Sequence, residues 1–123
     1  MFRAVWVEFP VQDIERATRF YQTVFESESL KIETDEGVRC RTTLFSGGAE
    51  SAGISLTQIA NFEPSGKGTL VYLNAGEDLT GHLSRVEAAG GKIIEHKTMM
   101  GSAGFYATFH DTEGNIAALY SYK

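Results

Sequence analysis

The sequence predicts an α+β fold in which one unit, strand–helix–strand–strand–strand, occurs twice. Three observations predict it. Apolar residues alternate along several short runs and switch to helical spacing at two places. The two helical runs open on Asp13-Ile14 and Asp78-Leu79, 65 residues apart, and the strands Lys31-Ile32-Glu33 and Lys92-Ile93 follow them. The chain has 123 residues and is 42% hydrophobic, which suits one domain with a shared core. A single βαβββ unit leaves a sheet face bare, whereas two can pair and curve around a common interior.

In the first unit, residues 4–9 alternate: Val5, Val7 and Phe9 point one way, Ala4, Trp6 and Glu8 the other. Pro10 has no amide hydrogen for a ladder, so the strand ends there. Asp13 is placed to cap a helix, although Arg16 stands where a capping box has glutamate. Ile14, Ala17, Phe20, Tyr21, Val24 and Phe25 form one apolar stripe. Residues 30–33 read as a strand, Asp35-Glu36-Gly37 as a turn, and 38–45 as the hairpin partner. A loop with Gly47-Gly48 leads to a strand over 53–59.

Residues 61–68, NFEPSGKG, carry Pro64 and two glycines between the patterned halves. The expected division is one domain, with module one at 1–61, a linker at 62–68 and module two at 69–123. The second unit opens with a strand at 69–74, Val71 and Leu73 on one face, Leu70 and Tyr72 on the other. Asp78 is expected to cap a helix carrying Leu79, Leu83, Val86 and Ala89, which Gly90-Gly91 stops. Strands at 92–95, 105–109 and 116–122 follow, joined by the MMGSAG loop and the DTEGN turn.

A formal charge of −5 argues against nucleic-acid and anionic-membrane partners and favours neutral or cationic ligands. Cys40 is the sole cysteine, so no internal disulfide forms, which suits the cytoplasm. No apolar run approaches a membrane span, and MFRAVWVEF lacks the sustained apolar core of a signal peptide.

The segments FPVQDIERATRFYQTVFE, LVYLNAGEDLTGHLSRVEAAGGKII and GFYATFHDTEGNIAALYS resemble the vicinal-oxygen-chelate superfamily of glyoxalases, bleomycin-resistance proteins and extradiol dioxygenases. The resemblance covers nearly the whole chain. It implies two βαβββ modules whose curved mixed sheets carry helices outside and line a ligand cup inside, often in a homodimer. Trp6 and Glu8 would then face the cup.

Enzymes of this family usually hold a divalent metal through His and Glu on four strands. Carried onto this sequence, those places fall on Trp6, Ser55, Leu70 (or Thr69, if the Gly76 insertion is placed differently) and Ala118. None is His, Glu or Asp. The expectation is therefore a chain with no metal site and no cofactor.

Glu8 is the charged residue beside these places. It is either a weak catalytic or ligand-binding candidate, or the partner of Arg39 or Arg41 on the neighbouring hairpin. Trp6, Tyr72, Phe105, Tyr106 and Tyr120 either line a pocket, together with Ser55, Thr57, Leu70 and Ala118, or fill the cup as core. His82, His96 and His110 lack metal-ligand spacing and read as surface residues, with His110-Asp111 a minor acid–base option. Cys40 reads as a half-buried strand residue, Gly47-Gly48 and GSAG at 101–104 as mobile rim loops, and Met99-Met100-Gly101 as a flexible lid.

Two functions follow as expectations. One is a small-molecule binder, holding a flat or cationic compound in a metal-free cup. The alternative is a glyoxalase-related lyase or isomerase that uses a divalent metal on a small oxygenated substrate.

Overall fold

The computed structural model describes residues 2–35 and 37–123. The chain order is β1 (Trp6–Pro10), α1 (Ile14–Phe25), β2 (Ile32–Asp35), β3 (Arg39–Phe45), β4 (Gly53–Gln58), β5 (Tyr72–Asn74), α2 (Thr80–Val86), β6 (Lys92–Met99), β7 (Phe105–His110) and β8 (Ile116–Ser121). This is βαβββ twice. Each unit forms a four-stranded mixed sheet, ordered β1-β4-β3-β2 and β5-β8-β7-β6. In both, the first strand pairs parallel with the last, and the other neighbours are antiparallel. Parallel partners need a crossover connection, and the segments that begin with α1 and α2 supply it. Part of the expected turn at Asp35-Glu36-Gly37, Glu36, lies outside the described residues.

The alternation places one face of each sheet under the helices. Phe9 and Leu56 of the first sheet and Leu73, Ala107, Phe109, Ala117 and Leu119 of the second are buried there with α1 and α2. The Thr18 and Thr42 hydroxyls, 2.7 Å apart, satisfy each other at the helix–sheet contact. Val5 departs from expectation: it precedes β1 and is exposed, because the parallel ladder starts at Trp6 opposite Gly53.

Asp13 caps α1 as expected, its Oδ1 accepting from the Arg16 amide at 3.0 Å. The second helix begins later than the spacing suggests. Asp78 accepts from the amide and hydroxyl of Thr80 in a local turn, and the N-cap position falls on Leu79, which has no side-chain cap. β5 is also shorter than its alternation implies, starting at Tyr72 and leaving Leu70 and Val71 ahead of the ladder. β6 runs longer, through Met99, and Met100 to Gly104 form a turn closed by the Met100 amide on the Gly104 carbonyl.

The modules share one core. The Phe20 ring of α1 lies 5.8 Å from Phe109 of β7. Gly91 passes so close that a Cβ there would sit 2.6 Å from the Phe20 ring. The DTEGN turn joins the modules a second time. Glu113 accepts from the Gln12 and Asp13 amides and from Arg16, and Asn115 donates to the Pro10 carbonyl at 2.7 Å. Asp111 accepts from the Tyr21 hydroxyl at 2.9 Å. Among the described residues, no helix is long and apolar enough to cross a membrane.

Candidate functional site

The sheet faces opposite the helices, here termed the cup faces, are the ones that the resemblance expects to line a cup. In the first sheet, β1 presents Trp6 and Glu8, β4 presents Ser55 and Thr57, and β3 presents Arg41 and Thr43. Register makes them neighbours: Glu8 lies opposite Ser55, Arg41 opposite Thr57, and Thr43 opposite Ser55. A continuous polar line results. Trp6 Nε1 donates to Ser55 Oγ at 3.1 Å, Ser55 Oγ lies 3.3 Å from Thr57 Oγ1, and Thr57 donates to Glu8 Oε2 at 2.8 Å. Arg41 Nη2 stands 3.5 Å from the same Oε2, so Arg41 rather than Arg39 is the partner of Glu8. Ser55 and Thr57 are fully buried beneath this line. Glu8 and Arg41 each keep 31% of their side-chain surface exposed, and Trp6 keeps 41% of its own.

The second cup face is aromatic. Tyr72, Tyr106 and Tyr120 lie along β5, β7 and β8, with Tyr72 opposite Ala118 and Tyr106 opposite Tyr120. The Tyr72 and Tyr106 rings meet edge to face, centroids 6.3 Å apart. Glu95 of β6 accepts from Tyr106 and Thr108 at 3.2 and 3.1 Å, and this hydrogen bond raises the Tyr106 phenol above its ordinary pKa. Tyr120 donates to the Ala103 carbonyl. Phe105 is not part of this face. One residue from Tyr106 on a strand, it points to the helix side with Ala107 and Phe109, packs against the core and lies under Lys97.

The two modules correspond residue by residue. Phe9 matches Leu73 and Val11 matches Ala75 as buried positions at equivalent places. Glu8 then matches Tyr72 and Trp6 matches Leu70, which favours Leu70 over Thr69 as the third place. The ladders carry the correspondence on: Ser55 matches Ala118, Thr57 matches Tyr120 and Arg41 matches Tyr106. The Glu8–Arg41–Thr57 cluster of module one thus becomes three tyrosines in module two.

Trp6, Ser55, Leu70 and Ala118 occupy the four places where the resemblance puts metal ligands. They bring an indole N–H, a hydroxyl and two hydrocarbon side chains. This donor set does not fit a divalent metal, which takes imidazole nitrogen and carboxylate oxygen. Among the described residues, no three His, Cys, Asp or Glu side chains gather as a metal group.

Two cavities lie on the helix side of the first sheet. One of about 520 Å³ lies at the seam between modules, lined by Phe25, Leu44, Phe45, Ile54 and, from β5, Tyr72 and Asn74. The other, about 390 Å³, lies near Val11, Cys40, Gln58 and Phe62. Neither is lined by Trp6, Glu8 or Arg41.

The remaining candidates do not assemble into a site. His82 packs edge-on against Phe25, and burial and then Arg85 lower its pKa, so it is not a plain surface histidine. His96 is exposed. His110 makes no bond to Asp111, whose oxygens are taken by Tyr21, Asn115 and two amides. Cys40 is half-buried, 3.7 Å from the Thr34 hydroxyl. Thr43, Thr108 and the charged cup residue Glu95 are absent from the sequence candidates. The signal for Glu95 was weak, because KIIEHKTM lacks clean alternation and the ladder there shifts register twice.

Comparison with solved structures shows the same architecture. A glyoxalase/bleomycin resistance protein/dioxygenase family enzyme from Burkholderia phytofirmans is similar at 17% identity and TM-score 0.67, covering 96% of this chain and 97% of its own. A glyoxalase-related enzyme from Fulvimarina pelagi matches at 14% identity and TM-score 0.69, over 98% and 88% of the two chains. The fosfomycin resistance protein FosX from Listeria monocytogenes matches at 13% identity and TM-score 0.71, over 100% and 95%. Comparison with curated proteins finds no match. The family model matches residues 3–119, and the chain belongs to the Glyoxalase/Bleomycin resistance protein/Dioxygenase superfamily.

Proposed function

We propose that this chain binds a small, flat molecule on its cup faces without a divalent metal, as a homodimer in the cytoplasm. One observation carries the reading: at two of the four ligand places, Trp6 and Ser55 hydrogen-bond each other at 3.1 Å. The indole nitrogen has no lone pair to offer a metal, and Leu70 and Ala118 offer none at the other two places. The three tyrosines supply a flat wall with polar tips, which suits an aromatic ligand. Arg41 balances Glu8, which removes the electrostatic reason to expect a cation. Trp6 and Tyr72 are 41% and 43% exposed in the single chain, and a second copy would wall the open faces. Sequestering a compound in this way needs no catalytic group.

Metal analysis of protein purified without chelator tests the reading, with no stoichiometric divalent ion expected. One ion per cup would overturn it and restore a metal-dependent lyase or isomerase. Thermal-shift screening against aromatic compounds, thiohemiacetals and acyl thioesters should find stabilisation by the first group. Analytical ultracentrifugation should give a dimer mass.

A further inference from the structure

We infer that the polar pole of the cup recognises a neutral amide-type edge, one carbonyl beside one N–H, as in a primary amide, lactam or urea. The inference rests on the small-molecule reading above and names the chemistry of its ligand.

Two half-exposed groups carry it. Glu8 Oε2 is occupied, accepting from Thr57 at 2.8 Å with Arg41 at 3.5 Å. The other oxygen, Oε1, has no partner among the described residues. The Arg41 guanidinium makes no hydrogen bond among the described residues, and its Nε is buried without an acceptor. A free acceptor therefore stands beside a guanidinium whose exposed Nη groups make no hydrogen bond among the described residues, each on a side chain with 31% exposure. Buried or half-buried polar groups bind what completes them.

The complement has to satisfy both. A carboxylate would meet Arg41 well but lie against Glu8. An amidinium or ammonium would meet Glu8 but lie against Arg41. A neutral group that accepts from the guanidinium and donates to Oε1 conflicts with neither. Module two sharpens the point. Its matching positions are Tyr72, Tyr106 and Tyr120, so the charged pair is confined to module one. The polar edge of the ligand is thus assigned to the Glu8–Arg41 pole, and tyrosine faces remain for a flat body.

The chain holds its own reporter. Trp6 is the sole tryptophan, and its N–H ends the hydrogen-bonded line that runs through Ser55 and Thr57 to Glu8. An occupant at Glu8 alters that line and shifts the single indole N–H resonance.

Benzamide, benzoate and benzamidine share one ring and differ in this edge. Each is titrated into the full chain while the Trp6 indole cross-peak is followed. Benzamide should bind tighter than the other two, on the order of tenfold, the discrimination of one charge-assisted hydrogen bond. Glu8→Gln should turn the preference to benzoate, and Arg41→Gln should turn it to benzamidine. Preference for either ion in the native chain, or a ranking that ignores both substitutions, would overturn the edge assignment. The cup reading would survive, because Trp6 still responded. Silence of Trp6 to all three compounds also overturns the assignment, and the thermal-shift screen then decides the cup reading separately.

Discussion

Arg16 Nε lies 2.7 Å from Glu113 Oε2, an ion pair between the helix of one module and the turn of the other. The Glu113 side chain is buried, and its Oε1 also accepts from the Gln12 and Asp13 amides at 2.9 Å each. Glu113 therefore serves the N-terminus of α1 from outside the helix's own module.

Glu113→Ala should lower stability by about 2 kcal/mol, since it leaves the Gln12 and Asp13 amides without their acceptor and Arg16 without its partner. Glu113→Gln should cost about 1 kcal/mol, because Arg16 is half-exposed and rehydrates. Burial alone would raise the Glu113 carboxyl, but Arg16 and the two amides outweigh it and hold the group below its ordinary 4.5. A depressed carboxyl contributes stability that is present above the ordinary value and lost as pH falls through the folded one. Urea denaturation from about pH 6 to about pH 3 should show a shallower acid loss in Glu113→Gln than in the native chain.

Tyr21 and Asp111 set the opposite slope. Burial raises the Asp111 carboxyl above its ordinary 3.8, although Tyr21, two amides and Asn115 pull it down. A raised carboxyl is best accommodated when protonated, so its contribution is full below the ordinary value and falls as pH rises through the folded one. Tyr21→Phe removes a donor that the ionised form needs. It should cost about 1–3 kcal/mol at neutral pH, and the loss should shrink on acidification. A loss that stays constant with pH would show that the hydroxyl serves packing alone.

Glu26 ends α1 in the left-handed region, φ 52° and ψ 48°, with its amide bonded to the Gln22 carbonyl. Glycine takes that conformation without a Cβ penalty. Glu26→Gly should raise stability by about 0.5–1 kcal/mol in a chemical melt. The ion pair it forfeits, to Arg85 at 3.6 Å, is too exposed on the Glu26 side to offset the gain.

The element order, the face parity and the Asp13 cap were legible because they depend on local spacing. Trp6 and Glu8 share a face by alternation alone, and the structure keeps them there. The role of Glu113 was not legible, since its partners lie about a hundred residues away in the chain. Asp78 misled for a local reason: its carboxylate closes a turn on Thr80 before the helix starts. Aromatic character alone groups Phe105 with Tyr106, although consecutive strand residues face opposite ways. Arg41 was legible only as one of two partners for Glu8. Choosing between Arg39 and Arg41 needed the hairpin register, which sets Arg41 beside Thr57.

The Trp6 ring covers Gly53, its partner across the β1–β4 ladder. A Cβ added at Gly53 would lie 2.2 Å from Trp6 Cζ3. The ring is partly exposed and can swing away, so Gly53→Ala should fold. Displacing it breaks the bond to Ser55, and the net cost should be about 1 kcal/mol, offset in part by the stiffer unfolded chain. Emission should shift to the red, and the indole resonance should stop responding to benzamide. Ser55→Ala tests the other constraint. It removes the acceptor but leaves the ring on Gly53, so emission should move little. If the two variants gave the same emission, the hydrogen bond rather than the glycine contact would hold Trp6. If only Gly53→Ala moves it, the bare glycine surface is what holds the indole flat against the β1–β4 ladder.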